Sequence, residues 1–365
     1  MNRHQALRWA TTRLLLASLL VTVLVAVLYT AELCFWLADP QRKLPPASYE
    51  QDGLRYTWGH PVHRNQLGFR SRDVAPKPEG VLRIMVLGDS LTWGAGVAAE
   101  VRYTDILERR LFRDLDGGNV EVHNFAVSGG PMVLHARVLE SYIGLVQPDL
   151  IVVGFCYNDG LLDTRHPSDW SPQKQRFDEK YGLGLEKMKN VFARLGLSHI
   201  GRRMERVIRR VAELRGVYPD RMAVIDWTYD PNSTQWHMFV RALRRIKYLS
   251  DNRRLPPPIF ASLNHGVYLR KRIDYARPDA LVATFLRWYQ QAEAVAESFG
   301  DTVVDFHKRI AEQLDGRSLG VNALDNHPSP ALHQLYADTL YPVVRRIMEQ
   351  RRLSRETKED GTMTK

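Results

Sequence analysis

Five short segments set the limits on what this chain can fold into. Ile84–Leu87 and Leu150–Phe155 are unbroken apolar runs, Val120–Val122 alternates, and 258–263 and Thr302–Asp305 read as two more strands. An unbroken apolar run of this length suits a strand covered on both faces. Segments of helical period lie between them: Glu100–Leu115, with Ile106, Leu107 and Leu111 on one face, then Val133–Val146, a run that Ser233 can cap, and Asp279–Phe299. A helix from Ala331 to Gln350 closes the pattern. Alternation of this kind implies an α/β fold of three layers, α/β/α, around a mainly parallel five-stranded sheet. In such sheets ligands bind beyond the carboxyl ends of the strands, so the chemistry is sought at that edge.

A different signal precedes the sheet. Leu14 to Ala31 carries no charge, Glu32 interrupts, and Leu33 to Ala38 is apolar again. About 20 apolar residues cross a bilayer as a helix. A secretory signal has a shorter apolar core, roughly 7–15 residues, ending at a small-x-small site that this sequence lacks. Residues 14–38 are therefore expected to form an uncleaved transmembrane signal anchor rather than a cleaved peptide. Arg3, Arg8 and Arg13 precede the span without an acid, whereas Arg42 and Lys43 follow it among Glu32, Asp39 and Glu50. That bias places residues 1–13 in the cytoplasm and the rest on the outer side. Residues 39–80 are read as a linker and N-terminal extension, 81–350 as the main domain, and the polar stretch 351–365 as a disordered tail.

The rhythm breaks at about 161–220, a charged helical insertion without a strand. Met204, Val207, Ile208, Val211 and Leu214 recur at helical spacing there. Arg202, Arg203, Arg206, Arg209, Arg210 and Arg215 face the other way, and six arginines less Glu205 and Glu213 leave +4. Two readings stand: a solvated basic face over a core stripe, or a surface for anionic lipid headgroups or an acidic glycan. The whole chain carries 51 Lys+Arg against 41 Asp+Glu, a net +10. Only two cysteines are present, Cys34 and Cys156, which excludes a disulfide scaffold or a multi-cysteine metal cage. There is no HExxH, no GxxxxGK[ST] and no paired histidine at ligand spacing, so neither metal nor cofactor is expected. No nucleic-acid module accompanies the charge, and an outward-facing domain would not meet nucleic acid.

The strand ends carry reactive groups. The first strand runs into Gly88-Asp89-Ser90-Leu91, the second into Asn124 to Gly130, and the third into Gly154 to Asp159. Asp325-Asn326-His327-Pro328 precedes the closing helix. Serine is a weak nucleophile that needs an adjacent base. A histidine near neutral pKa supplies one, a carboxylate orients the ring, and preorganised donors stabilise the oxyanion. Singly, each residue has a structural reading: Ser90 as a helix cap, Gly129 as a turn glycine, Asn158 within an Asx turn, His327 as a surface histidine. Their meeting at one sheet edge favours chemistry.

In these residues the chain resembles the SGNH, or GDSL-type, hydrolases over roughly Arg83 to Gln350. Gly88-Asp89-Ser90 matches the first block, Gly129 the second, Asn158 in GxxxND the third, and His327-Pro328 the last. The resemblance implies a flavodoxin-like fold, Ser90 as nucleophile, His327 as base, and an oxyanion hole of the Ser90 N–H, the Gly129 N–H and the Asn158 amide. One position departs from the pattern. The family's acid usually stands three residues before the histidine, where this chain has Leu324; the acid here is Asp325, two before. Asp325 is taken as the third member, with a Ser90–His327 pair oriented by a backbone carbonyl left open. Asp89 is read as holding the turn.

The expected function is a membrane-anchored serine esterase that cleaves small acyl esters through an acyl-Ser90 intermediate. The partner would be an ester-bearing small molecule, a lipid or an O-acylated glycan. An O-acetyltransferase acting on envelope or exported polysaccharide would use the same intermediate. A non-catalytic binding module on the same fold would use none of it.

Overall fold

The computed structural model describes residues 3–115, 120–161, 176–218, 221–263, 280–313, 319–322 and 324–360. Five strands form one parallel sheet: β4 (Leu82–Gly88), β5 (Val120–Asn124), β6 (Leu150–Phe155), β7 (Ile259–Ser262) and β8 (Thr302–Asp305). Three short strands precede them, β1 (Tyr49–Gln51), β2 (Leu54–Thr57) and β3 (His60–Val62). The large sheet runs in the order β5-β4-β6-β7-β8. The chain moves outward from β4 to β5 and then back past it to β6, which is the flavodoxin-like order with its switch point between β4 and β6. Ile84 pairs with Leu150 and Gly88 with Gly154, so the carboxyl ends of these two strands finish level. Every residue of β4, β6 and β7 is buried, as their apolar runs require; the two polar members, Arg83 and Ser262, are buried with hydrogen-bond partners, Arg83 on Glu121 and Ser262 on Glu293.

Helices cover the sheet. α2 (Ser90–Trp93) follows β4, and α3 (Tyr103–Asp114) buries Ile106, Leu107 and Leu111 as the periodicity predicts. α4 (Met132–Val146) joins β5 to β6. The apolar N-terminal helix α1 (Arg3–Leu37) and the insertion helices α5 (Leu183–Arg194) and α6 (Ser198–Leu214) form a second compact unit, residues 1–43 and 170–221. The rest of the chain forms the larger unit, which holds the sheet and continues with α7 (Arg221–Thr228), α8 (Thr234–Asn252), α9 (Ala280–Ser298), α10 (His307–Gln313) and α11 (Pro330–Asp360). Ser233 caps α8, its hydroxyl accepting from the Trp236 N–H at 3.0 Å.

Two expectations need correction. The first is the tail: α11 continues through residues 351–360, which were expected to be disordered. That stretch has no Gly or Pro and is rich in Arg, Glu and Lys, so nothing in it stops a helix that the core has already nucleated. The second is the apolar stripe of the insertion, which is not a core stripe: Val207, Val211 and Leu214 are exposed on α6. Residues 162–175 of the insertion and 361–365 of the tail lie outside the described residues.

The stretch before β4 is structured too. Asp52-Gly53 and Trp58-Gly59 are two-residue turns with positive φ throughout (52°, 72°, 47° and 86°), and they join β1, β2 and β3 into an antiparallel meander. Such turns match the twist of paired strands. The Asn65 to Arg70 segment, which the sequence leaves without a purpose, is a tie. The Asn65 carboxamide oxygen accepts from the N–H groups of Leu67 and Phe69, both at 3.0 Å. The loop so formed delivers Arg70 into the interior. Its guanidinium donates to the carbonyls of Gly94 (2.6 Å), Val97 (2.9 Å), Pro61 (3.3 Å) and Trp93 (3.4 Å). Arg70 thereby fastens the meander to the loop behind Ser90. Burial holds its pKa down to about 10, which still leaves it charged at neutral pH.

Candidate active site

The turn after β4 places Ser90. Asp89 caps α2, accepting from the Leu91 N–H at 2.9 Å, so Ser90 is the first residue of the helix rather than its cap. The turn lies tight against the sheet. A Cβ at Gly88 would sit 2.3 Å from the Thr92 hydroxyl oxygen, and one at Gly154 would sit 2.2 Å from the same atom. Both glycines make room for Thr92, whose hydroxyl is 3.0 Å from that of Tyr103.

His327 comes from a separate hairpin, β9 (Gly320–Asn322) and β10 (Asp325–Pro328). Its Nε2 lies 2.9 Å from Ser90 Oγ. Its Nδ1 lies 2.5 Å from Asp325 Oδ1, which also accepts the His327 backbone N–H at 2.9 Å. The D-x-H spacing has a direct cause. β10 is extended, and in a strand residues i and i+2 project from the same side. An acid two residues before the histidine therefore reaches its ring without a turn. The Asn322 side-chain oxygen fixes the start of that strand by accepting from the N–H groups of Leu324 (2.9 Å) and Asp325 (3.1 Å).

The second carboxylate oxygen of Asp325 accepts from the Trp58 indole N–H at 2.5 Å. Sequence reasoning missed Trp58. Its φ of 47° is a left-handed conformation that a bulky residue adopts at a cost of about 1–2 kcal/mol. Strain of this sort gathers at functional sites. Trp58→Phe keeps most of the ring and removes the donor. We expect kcat for an activated acetyl ester to fall about tenfold with a smaller change in KM, because the carboxylate loses one of the bonds that aims it. An unchanged kcat would show that the indole only fills space.

Charge settles around these contacts. Burial favours neutral Asp325, but the His327 ring and backbone bonds and the Trp58 bond outweigh it and hold the carboxyl at about 2. Burial would lower His327, yet the bond and charge of Asp325, with the Asp89 charge behind them, raise it above its ordinary value. The base is thus stronger than a free imidazole.

The two residues expected to complete the oxyanion hole, Gly129 and Asn158, lie just after β5 and β6. Asn158 directs its amide N–H to Asp89 Oδ2 at 2.9 Å, and Ser90 Oγ lies 3.2 Å from the same oxygen. Asp89 therefore caps the helix and anchors Asn158 beside the serine. Gly129, at φ 73°, sits in a turn closed by the Gly130 N–H to the Val127 carbonyl. The Val127 N–H donates to the Gly88 carbonyl, and Val127 and Ser128 line the same cleft as His327. Below Asn158, Asp159 Oδ2 accepts the Cys156 N–H at 2.9 Å and lies 3.6 Å from His135 Nε2. Burial raises the Asp159 pKa and depresses His135 to about 4, so the neutral forms of both are favoured beneath the site.

The cleft beside Asp325 and His327 has a volume of about 540 Å³ and is built largely by the N-terminal extension between Ala47 and Phe69. Arg55, Trp58, Arg64, Trp93, Ala95 and Ala126 are among the residues that line it.

A serine at the switch point of a parallel sheet, with a histidine and a carboxylate aligned behind it, defines a serine hydrolase of the α/β class. Residues 86–335 match the GDSL-like lipase/acylhydrolase family. The chain belongs to that family and is an ester-hydrolysing enzyme. No curated protein matches it. Similar solved structures include a lipase/acylhydrolase from Enterococcus faecalis, at 15% identity and TM-score 0.40, covering 73% of this chain and 96% of that one. An acetylxylan esterase from Geobacillus stearothermophilus is 13% identical with a TM-score of 0.38 over 73% and 94% of the two chains. A psychrotrophic esterase from Pseudoalteromonas is 13% identical with a TM-score of 0.39 over 73% and 98%.

Proposed function

We propose that the chain is a membrane-anchored serine esterase that removes small acyl groups from an anionic glycan on the outer side of the membrane. The observation that carries the chemistry is the continuous Asp325–His327–Ser90 contact. His327 Nε2 takes the Ser90 proton as Oγ bonds to the ester carbonyl carbon. The oxyanion is held by the N–H groups of Ser90 and Gly129 and by the Asn158 amide. The Ser90 N–H belongs to the first turn of α2, where backbone donors have no partner within the helix. Collapse of the adduct breaks the bond to the leaving oxygen, which His327 protonates. The base then draws a proton from water, whose oxygen attacks the acyl carbon and frees Ser90.

The cleft supports the choice of substrate. Trp58 and Trp93 are buried in its wall, while Arg55 and Arg64 are exposed cations in the same cleft as Asp325 and His327. A wall interrupted by arginines suits a long acyl chain poorly and a carboxylated sugar well. Anchoring is supported by α1, whose residues Thr11–Leu37 are long and apolar enough to cross a membrane. We expect acetate release from an acetylated polyuronate to exceed that from an equally acetylated neutral glycan. Arg64→Ala should raise KM about tenfold, or ~1.4 kcal/mol, for the acidic substrate alone. Equal turnover of both substrates, untouched by Arg64→Ala, would refute the anionic assignment. Acetyl transfer to an added glycan in place of acetate release would make the enzyme a transferase.

A further inference from the structure

The unit containing α1 holds a feature that esterase chemistry does not use. Glu32, the charge that interrupts the apolar run, is the cap of a helix elsewhere in the sequence. Its two carboxylate oxygens accept the N–H groups of His199 (2.8 Å) and Ile200 (2.9 Å), in the first turn of α6, and Oε1 also meets His199 Nδ1 at 2.8 Å. That turn has no side-chain cap of its own from Leu197. A carboxylate there satisfies orphan donors and suits the positive end of the helix. The tie is extended on both sides. The Tyr29 hydroxyl donates to the Leu195 carbonyl at 2.8 Å, His199 Nε2 lies 3.3 Å from Asp39, and the Arg203 guanidinium stacks 3.9 Å over the Phe35 ring. The α5–α6 hairpin is thus fastened to α1 between Tyr29 and Asp39.

Length fixes the level of that fastening. Thr11–Leu37 has 27 residues, about 40 Å of helix, against a hydrocarbon core of about 30 Å. With Arg13 at one boundary of the core, about 20 residues bring the other boundary to Glu32. The carboxylate and the hairpin tied to it then stand at the headgroup level.

The hairpin is built for that level. Its own packing uses Gly201, Ala212 and Leu185, and a Cβ on Gly201 would lie 2.8 Å from Phe192. The stripe on α6 is left out of this contact: Val207 is 61% exposed and Leu214 74%. Leu183, Val191 and Leu195 on or beside α5 are exposed as well. Arg202, Arg206 and Arg210 project from another face of α6, also exposed. An apolar face with flanking arginines is the composition of a helix lying in a bilayer interface.

We propose that the α5–α6 hairpin lies in the interface of the bilayer that α1 crosses. The stripe enters the acyl-chain boundary and the arginines bind anionic lipid phosphates. This rests on the reading of α1 as a retained anchor. The occupant is lipid because the exposed stripe belongs to a hairpin fastened to a helix whose own apolar residues are exposed from Leu14 to Val27, and because Glu32 sets both at one depth.

The test uses the full chain in vesicles of phosphatidylcholine and phosphatidylglycerol, with Cys34→Ala removing the exposed thiol. An environment-sensitive fluorophore is attached at Val211→Cys, or at Leu20→Cys as a control in the span. Hydrolysis of an activated acetyl ester confirms that each labelled chain is folded. We expect lipids brominated on their acyl chains to quench both probes about twofold or more, and a probe at Arg206→Cys much less. A quenched Leu20 probe with an unquenched Val211 probe would overturn the hairpin proposal and leave the anchor standing. If neither is quenched, the anchor reading falls and the hairpin proposal with it. A Val211 probe that responds to an added acidic polysaccharide but not to brominated lipid would assign the surface to glycan and overturn the proposal.

Discussion

Ser90→Ala is expected to lower kcat/KM for an activated acetyl ester by about 10⁴-fold or more, with the melting temperature little changed. Losing the nucleophile removes the covalent step, and the residual rate comes from binding and the oxyanion donors alone. The side chain is small, lies at the first position of α2, and leaves the Asp89 cap intact, so the fold has little reason to respond. A loss below tenfold would mean that another group attacks the ester, or that the chain binds without turning over.

The second large effect concerns Asp325. Asp325→Asn should reduce kcat by about 10³- to 10⁴-fold, because an amide in place of the carboxylate favours the wrong tautomer of His327 and cannot stabilise its cation. His327→Ala should cost more, since it removes the base itself. The pH profile gives a second readout with a definite sign. His327 acts as a base when neutral, and Asp325 raises its pKa above the ordinary value. Wild-type kcat/KM should therefore rise with pH through a midpoint above 6.5. Without the carboxylate, burial is left to depress the ring, and the midpoint should move to lower pH while the plateau falls. A mutant with the wild-type midpoint would show that Asp325 does not act on the ring.

Much of this was legible in the chain because burial writes itself into sequence. β6 matches its apolar run, Leu150–Phe155, since a fully covered strand tolerates few polar residues, and the edge strand β8, only partly covered, still matches Thr302–Asp305. The serine, the histidine and the asparagine were found because each follows a strand or precedes the closing helix, where the fold places its chemistry. Asp325 was harder. Its spacing is irregular only against a turn; the extended β10 makes two residues the natural interval.

What stayed hidden depended on partners distant in sequence. Trp58 meets Asp325 across 267 positions, and no local pattern encodes that bond. The Asp52-Gly53 pair did carry a hairpin signal, in strands too short to alternate clearly, whereas Trp58-Gly59 carried none, since a bulky residue rarely adopts positive φ. Arg70 seemed purposeless because its partners are backbone carbonyls, which have no sequence identity. The α6 stripe shows the reverse error. Helical spacing reports that a face is apolar, and it does not report whether protein or lipid covers it.

The central claim is that Ser90 is an activated nucleophile. The direct measurement is mass spectrometry of the full chain after treatment with a fluorophosphonate. We expect one adduct per chain, mapped to the peptide containing Gly88-Asp89-Ser90, formed faster as pH rises through the His327 titration, and absent in Ser90→Ala. No adduct between about pH 6 and pH 9, or an adduct on another residue, would contradict it.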